Sequence, residues 1–260
     1  MRAQRLRRLE PAAIGGVMSR EVANFRTFWR ATTFSSVLEP TVYLLAFGLG
    51  FGTLVTQVRG VDYIEFLGTG MVATAVLFSS VFPAMFGTFV KHRFQRTYDA
   101  ILAAPVDVEE LVTAEALWIA ARAGFYGMSP LLVSMIFGLD PAAGMLLVPL
   151  FGFLTGFGFA SFGIFVAGLV ARIDNFNYIT SAVITPLFLV SGAFFPIDEL
   201  PGWAQAVANL NPLHHCVELV RHAVFGLEAG ADALHVLALL GFAVVMWRLA
   251  IWRLGLRLID

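Results

Sequence analysis

The side chains best suited to chemistry lie in two neighbouring stretches of the C-terminal third. PLHHCVELVRH, residues 212–222, contains His214, His215 and His222, with Glu218 one helical turn before the last of them. SGAFFPIDELP, residues 191–201, adds Asp198 and Glu199. Imidazoles and carboxylates together could bind a metal ion or catalyse acid–base chemistry. A polar stripe facing solvent or a channel explains them without a ligand, so we expect no metal site.

A second set of polar and aromatic residues interrupts an apolar segment at residues 111–139. Glu115 and Arg122 share a helix face but lie about 10 Å apart along the axis, too far to pair directly. Trp118, four residues before Arg122, is close enough for a cation–π contact. Charges inside a membrane commonly mark function. We therefore expect Glu115, Trp118, Arg122 and Tyr126 to line a substrate entrance; the alternative is simple snorkelling to the cytoplasmic surface.

Several kinds of chemistry are excluded. There is no GxxxxGK[ST] loop and Lys91 is the only lysine, so the chain cannot bind ATP as a P-loop protein does. HExxH is absent, and the apolar segments lack the acidic residues of a proton relay. Cys216 is the only cysteine, which excludes an internal disulfide and favours a small buried hydrophobe. We expect no cofactor on this chain.

The composition indicates an integral membrane protein. Hydrophobic residues make up 58% of the 260 residues, mean hydropathy is +0.80, and only 13% are charged, against about 25% in soluble domains. Crossing a roughly 30 Å hydrocarbon layer needs about 20 apolar residues. Six segments meet or approach this length, at about 39–57, 66–90, 111–139, 141–171, 175–197 and 233–252.

The basic residues predict the orientation. With six spans, 14 of the 17 fall on the side of both termini: Arg2, Arg5, Arg7, Arg8, Arg20, Arg26, Arg30, Lys91, Arg93, Arg96, Arg172, Arg248, Arg253 and Arg257. Only Arg59 and Arg221 fall on the opposite side, and Arg122 lies within the third span. The positive-inside rule therefore places both termini in the cytoplasm.

The stretch between the fifth and sixth spans is divided by prolines. Its longest helix begins with Asn211 as cap and Pro212 as first residue and ends near Gly226. Roughly 14 residues reach only about 21 Å, too short to cross. We therefore predict re-entrant external helices at about 196–230 that line or cap a passage. The predicted gate residues are Phe194, Phe195, Pro196, Asp198, Pro201, Asn211, Pro212, His214, Glu218 and Arg221.

The cytoplasmic loop after the second span contains a short helix. It is predicted at residues 97–104, is stopped by Pro105, and precedes a capping box of Asp107 and Glu110 at the start of the third span. Such a helix can receive a push from another protein; the alternative is a plain loop that turns the chain. The predicted contact residues are Arg96, Tyr98, Asp99, Ile101, Leu102 and Pro105, of which Tyr98, Ile101 and Leu102 are the apolar anchors.

The first residues form a basic tail with no signal-peptide core behind it. At residues 19–34 apolar and basic side chains separate onto opposite helix faces, which is typical of a helix lying in the membrane interface. We therefore divide the chain into a cytoplasmic tail and interface helix, residues 1–34, and a transmembrane domain, residues 35–260.

Several stretches resemble one family of transporters. FGLGFGTLV, DYIEFLGTGMVA, YDAILAAPVDVEELV and above all ITPLFLVSGAFFPIDELPGWAQAVANLNPLHHCVELVRHAVFG are similar to the ABC-2 type transporter permeases, in the branch of NodJ and the daunorubicin-exporter permeases. The resemblance implies an all-α fold with six transmembrane helices, an N-terminal interface helix, a coupling helix at about 97–105 and paired external helices. It departs at His215 and Cys216, where a small or β-branched pair is expected.

The resemblance also implies the assembly. A permease dimer, of two identical or two paralogous chains, joins two copies of a separate ATPase subunit that binds ATP and Mg, in a bacterial inner membrane and without nucleic acid. The expected function is ATP-driven export of an amphipathic lipo-oligosaccharide, glycolipid, polysaccharide or drug. Two alternatives stay open: a membrane enzyme acting on lipid-linked sugars through Asp198, Glu199, His214, His215 and Glu218, and a membrane-embedded scaffold.

Overall fold

The computed structural model describes residues 9–52, 54–55 and 57–258, and this part is almost entirely helical. Its α-helices are α1 (Pro11–Phe51), α2 (Tyr63–Arg93), α3 (Thr97–Leu102), α4 (Val108–Tyr126), α5 (Met128–Ile136), α6 (Val148–Leu169), α7 (Phe176–Ile179), α8 (Thr185–Leu189), α9 (Gly202–Asn209), α10 (Pro212–Phe225) and α11 (Ala229–Leu258). A small antiparallel hairpin of β1 (Gln57–Val58) and β2 (Val61–Asp62) follows α1.

Within the described residues, five helical stretches are long and apolar enough to cross a membrane: Pro11–Phe51, Tyr63–Arg93, Val108–Ile136, Ala143–Leu169 and Ala229–Leu258. They correspond to five of the six predicted spans. The chain is therefore a multi-pass membrane protein with the helical architecture that the sequence predicts.

The predicted fifth span, residues 175–197, is shorter and less regular than expected. Helices α7 and α8 are joined by a π-helical turn at Thr180–Ile184, where the amide and hydroxyl of Thr185 both donate to the carbonyl of Thr180. Pro186, at the start of α8, has no amide to donate to the preceding turn. The helical run from 176 to 189 covers only about 21 Å, and the chain then turns at Gly192 with φ of +85°.

Helix α1 joins two regions that the sequence divides. It contains 41 residues and is interrupted only at Phe28, whose φ and ψ are −126° and 18°. A helix of that length extends about 60 Å, roughly twice the hydrocarbon thickness, so part of it must lie outside. The interface helix and first span are therefore one bent helix, and the predicted boundary at 34/35 falls inside it.

The core is centred on α6, which packs against α2, α4 and α11. Close approach depends on glycine: a Cβ on Gly124 would lie 2.6 Å from the carbonyl oxygen of Pro149. Helices α1 and α11 instead carry rows of exposed apolar side chains, such as Val42 and Val244, each 52% exposed. Exposed apolar rows of this kind suit contact with lipid.

Candidate coupling and gating sites

Helix α3 follows the C-terminal end of α2 and is held against the start of α4 by its apolar side chains. Tyr98 is fully buried, and Ile101 and Leu102 pack half-buried against the part of the core that contains Val108 and Leu111. The short helix and the capping box of Asp107 and Glu110 are confirmed. That Tyr98 anchors another protein stays a prediction, and in this structure its ring is enclosed by this chain's own helices.

The exposed face of this region is different from the predicted one. Arg96, Asp99 and Pro105 are exposed, as expected. The most exposed apolar side chain beside α3 is Phe94, at 69%, and it is not among the predicted contact residues. Phe94 ends α2 and precedes α3, and Arg96 adopts a left-handed φ of 49° at the turn between them. An exposed aromatic at a turn between two helices is the feature that could have identified it.

The hydroxyl of Tyr98 belongs to a buried polar cluster. It donates to Glu115 Oε2 at 2.5 Å, while Lys91 Nζ lies 2.8 Å from Glu115 Oε1 and 2.9 Å from Glu21 Oε1. Glu115 is 2% exposed and Glu21 6%. Burial, followed by the nearby negative charge of Glu115, raises the pKa of Tyr98 well above its usual value, so it stays a donor. We call Glu21, Lys91, Tyr98 and Glu115 the cytoplasmic cluster, after the side of the membrane that the positive-inside rule predicts for it. Glu21 and Lys91 are not among the predicted site residues.

A second link joins the start of α1 to the start of α4. Glu110 Oε1 accepts from the backbone amide of Glu10 at 2.8 Å, and Glu110 Oε2 accepts from the amide of Asp107 at 2.9 Å. The Glu110 side chain therefore completes the capping box and also holds Glu10, the residue that precedes α1. A groove of about 420 Å³ remains between this part of α1 and residues 101–106.

Of the four residues predicted at a substrate entrance, Trp118, Arg122 and Tyr126 lie against α1, whereas Glu115 contacts other residues. Glu115 belongs to the cytoplasmic cluster. Arg122 lies with its guanidinium carbon 5.5 Å from the ring centre of Phe25, and Phe25 makes an edge contact with Trp118. The predicted cation–π contact therefore forms with Phe25 instead of Trp118. Tyr126 hydrogen-bonds to Thr33 on α1 at 2.9 Å.

Arg122 differs from the other buried cations in having no ion pair with any described residue. Its Nε is buried without a hydrogen-bond partner. Phe25, Trp118 and Tyr126 place it against α1, where Arg26 and Arg30 are exposed. This region can attract a negatively charged group.

Two short helices, α9 and α10, occupy the segment for which external re-entrant helices are predicted. The side chain of Asn211 accepts from the amide of Leu213 at 2.9 Å and donates to the carbonyl of Leu187 at 2.7 Å. Pro212 is the first residue of α10, which ends at Phe225 before Gly226, as the sequence predicts. Pro201 caps the start of α9. Asn211 thus both caps α10 and ties it to the end of α8.

Arg221 is the centre of the external region. It is 5% exposed, donates to Glu218 Oε1 at 3.0 Å and to the carbonyl of Gly192 at 2.7 Å, and lies 3.8 Å from the ring centre of Phe66. Burial lowers its pKa to about 10 although Glu218 opposes the shift. Burial alone would raise the pKa of Glu218, but Arg221 and other neighbouring cations lower it. Both side chains are therefore charged near neutral pH.

The remaining acids of this region are more exposed. Asp198 pairs with Arg59, which also lies 3.6 Å from Glu218. The side chain of Asp198 is 75% exposed. His214, by contrast, is buried against the carbonyl of Ser191 at 3.2 Å. The residues needed for the lipid-linked-sugar enzyme are thus divided between solvent and core.

The histidines contact one another at the junction of α10 and α11. His215 Nδ1 lies 2.7 Å from His235 Nδ1, and His222 Nδ1 lies 2.6 Å from Asp232 Oδ1. Across the part of the chain that the structure describes, no group of three histidine, cysteine or acidic side chains is arranged to hold a metal ion.

An apolar cavity of about 620 Å³ opens between the end of α1 and the external turn. Its lining includes Phe47, Phe51, Arg59, Phe194, Phe195 and Pro196. The Phe194 ring makes edge contacts with Phe47 and Phe188 at 5.3 and 5.0 Å between ring centres. Three predicted gate residues therefore do line one cavity.

Five helices of membrane-spanning length, with a short helix between the second and the third of them, define a multi-pass membrane protein. The ABC-2 type transporter family model matches residues 13–225, and the chain belongs to this family. It is similar to Nodulation protein J of Sinorhizobium fredii, with 34% identity over 236 residues that cover 89% of this chain and 90% of the relative. Nodulation protein J of Rhizobium meliloti is 35% identical, and the match again covers 89% of this chain and 90% of the relative. Inner membrane transport permease YadH of Escherichia coli is 23% identical, covering 94% of this chain and 97% of the relative.

Proposed function

We propose that this chain is the membrane subunit of an ATP-driven exporter in a bacterial inner membrane, with both termini in the cytoplasm. Two permease copies, identical or paralogous, assemble with two copies of a separate ATPase subunit that carries ATP and Mg. Family membership and the permease names of the relatives support this assignment.

The position of α3 carries the proposal. The chain has no P-loop of its own, so the energy of ATP hydrolysis must arrive through a contact. Helix α3 is the short helix between α2 and α4, and its inner face is bonded to Glu115 through Tyr98. Asp99 on its outer face, with Phe94 and Arg96 in the turn that precedes it, is exposed and available to a partner.

The cargo that we propose is amphipathic: a lipo-oligosaccharide, glycolipid, polysaccharide with a lipid end, or drug. Arg122 would attract the anionic or polar head at the cytoplasmic side. The external cavity beside Phe47 and Phe194 is apolar enough for an acyl chain or ring system.

A second permease copy is part of the proposal. The run from 176 to 189 is apolar, yet α8 has no buried residue in the isolated chain. Leu189 is 48% exposed. Another membrane protein surface, or lipid, must cover this segment.

The test is purification of the tagged chain from its native membrane in mild detergent. We expect a P-loop ATPase to co-purify in equal amount, and the complex to hydrolyse ATP in a vanadate-sensitive manner. Purification of the chain without an ATPase, in every detergent that preserves its fold, would contradict the proposal.

A further inference from the structure

The cytoplasmic cluster connects four separate helices through two carboxylates and the ammonium between them. Glu115 on α4 accepts from Tyr98 on α3 and from Lys91 on α2, and Lys91 also binds Glu21 on α1. Thr88 lies 3.5 Å from Glu115 Oε2. Among residues 97–102, Tyr98 makes the only described side-chain hydrogen bond to a membrane-spanning helix.

Stability alone does not explain why these charges are buried. Removing two carboxylates and an ammonium from water is costly, and a packed apolar replacement is often as stable or more so. The neighbouring positions are filled by Val17, Leu111 and Ala114, which are buried apolar residues. The surrounding core could therefore be closed without charges.

A charged cluster differs from an apolar core in how it responds to displacement. Apolar side chains can slide with little change in free energy, whereas hydrogen bonds weaken steeply when their distance or angle changes. If α3 moved alone, Glu115 would lose a donor inside a buried site. Such under-paired buried charges are strongly unfavourable. Helices α1, α2 and α4 must therefore follow α3.

We propose that the cytoplasmic cluster is the joint that transmits movement of α3 to the first three spans, with Tyr98 and Lys91 as its positioning residues. This inference rests on the proposed function, because it assumes that an ATPase moves α3. The joint reaches the bent helix α1 through Glu21, seven residues before its kink at Phe28.

The test uses Tyr98→Phe, which removes one hydroxyl and keeps the buried ring. Hydrogen–deuterium exchange is measured on the complex with its ATPase, nucleotide-free and trapped with ATP and vanadate. In the wild-type complex, we expect the exchange of residues 97–102 and of residues 11–27 to differ between the nucleotide-free and the vanadate-trapped states. In Tyr98→Phe we expect the exchange at 97–102 to change as in the wild type. The vanadate-dependent shift in the conformational equilibrium, measured from exchange at 11–27, should be about tenfold smaller, which corresponds to the loss of one hydrogen bond to a charged group.

Two further comparisons separate the joint from a structural role. Tyr43→Phe is the matched control, because the Tyr43 hydroxyl on α1 makes no hydrogen bond to a described residue, and it should behave as wild type. Lys91→Met should abolish the vanadate-dependent change in exchange at residues 11–27. Lys91→Arg should retain part of that change, since the charge persists. ATP hydrolysis should continue in all four variants.

Wild-type transmission in Tyr98→Phe would overturn the inference and leave the proposed function standing. A wild-type complex that shows no vanadate-dependent change at 97–102 would instead contradict the proposed function. If Tyr98→Phe failed to assemble, Glu115→Gln would replace it, because it keeps the shape of the side chain and removes the charge. Loss of assembly in both variants would also overturn the inference, because a joint within the permease is not needed to bind the ATPase.

Discussion

Arg221 on α10 donates a 2.7 Å hydrogen bond to the carbonyl of Gly192, which turns with a positive φ after α8. The same guanidinium pairs with Glu218 and covers the Phe66 ring on α2. One side chain thus holds the external turn, the external helix and the second span together.

Arg221→Ala should therefore destabilise the protein strongly. It leaves Glu218, whose side chain is 13% exposed, without its closest partner, and breaking a buried pair from one side costs about 3 kcal/mol or more. The measurement is thermal unfolding in detergent. Arg172→Ala is the control, because the Arg172 side chain is 79% exposed and its pair with Asp174 should contribute little. Equal melting temperatures for the two variants would contradict the role of Arg221.

Arg122→Ala should weaken substrate capture without affecting assembly. Its guanidinium has no ion pair in the described chain and packs over Phe25, so an anionic head group can use it. The measurement is stimulation of ATP hydrolysis by an anionic lipid compared with a zwitterionic one. We expect the difference to disappear in Arg122→Ala and to persist in part in Arg122→Lys. If anionic and zwitterionic lipids still stimulated ATP hydrolysis to different extents in Arg122→Ala as in the wild type, Arg122 would have no role in substrate capture and would be assigned to snorkelling.

The contact between α10 and α11 should weaken in acid. Burial, with His235 and His214 nearby, lowers the pKa of His215 to about 4, against about 6.5 in an unfolded chain. The native state therefore favours neutral His215, so stability is full above about pH 6.5 and is lost as the pH falls towards 4. If His215 and His235 were both protonated, neither Nδ1 could accept the 2.7 Å hydrogen bond.

The measurement is the melting temperature between pH 7.5 and 4.5. We expect it to fall with pH in the wild type and to fall less in His215→Asn. The same slope in both proteins would show that other groups control the acid response. The other titratable groups at this junction are His214, His222, Glu218 and Asp232.

Much of the architecture could be predicted because its signals are local. Asn211 and Pro212 at the start and Gly226 after the end mark the bounds of the short helix α10. Asp107 and Glu110 form their capping box three residues apart. Hydropathy located five spans for the same reason, since each is a continuous apolar run.

The contacts between distant segments could not be predicted in this way. Lys91 is 24 residues from Glu115 and 70 from Glu21, and no spacing rule brings them together. A six-residue helix has too few turns for periodicity to show that Tyr98 faces inward. The fifth span stays a prediction: its helix is less regular than its hydropathy indicates, because the π turn and Pro186 interrupt the α-helical hydrogen bonding without changing the hydropathy.

The topology predicts which positions a membrane-impermeant thiol reagent can reach. The background is Cys216→Ala; the native thiol is fully buried, and burial raises its pKa to about 11. Cysteines at Gly202 and Gly230, where no neighbouring atom crowds an added side chain, should label from outside. A cysteine at Ala103 should label only from the cytoplasm. Labelling of positions 202 and 230 from opposite sides would contradict the re-entrant arrangement.

The central claim is that an ATPase binds the exposed surface around α3, and photo-crosslinking from Phe94 tests it most directly. Phe94 is 69% exposed and directly precedes the turn into α3, so replacing it with benzoylphenylalanine should preserve the fold. The same replacement at Phe34, which is 66% exposed on α1, is the matched control. We predict that irradiation of native membranes crosslinks position 94, and not position 34, to a P-loop ATPase. Failure of position 94 to crosslink an ATPase, while the protein remains folded in the membrane, would contradict the account.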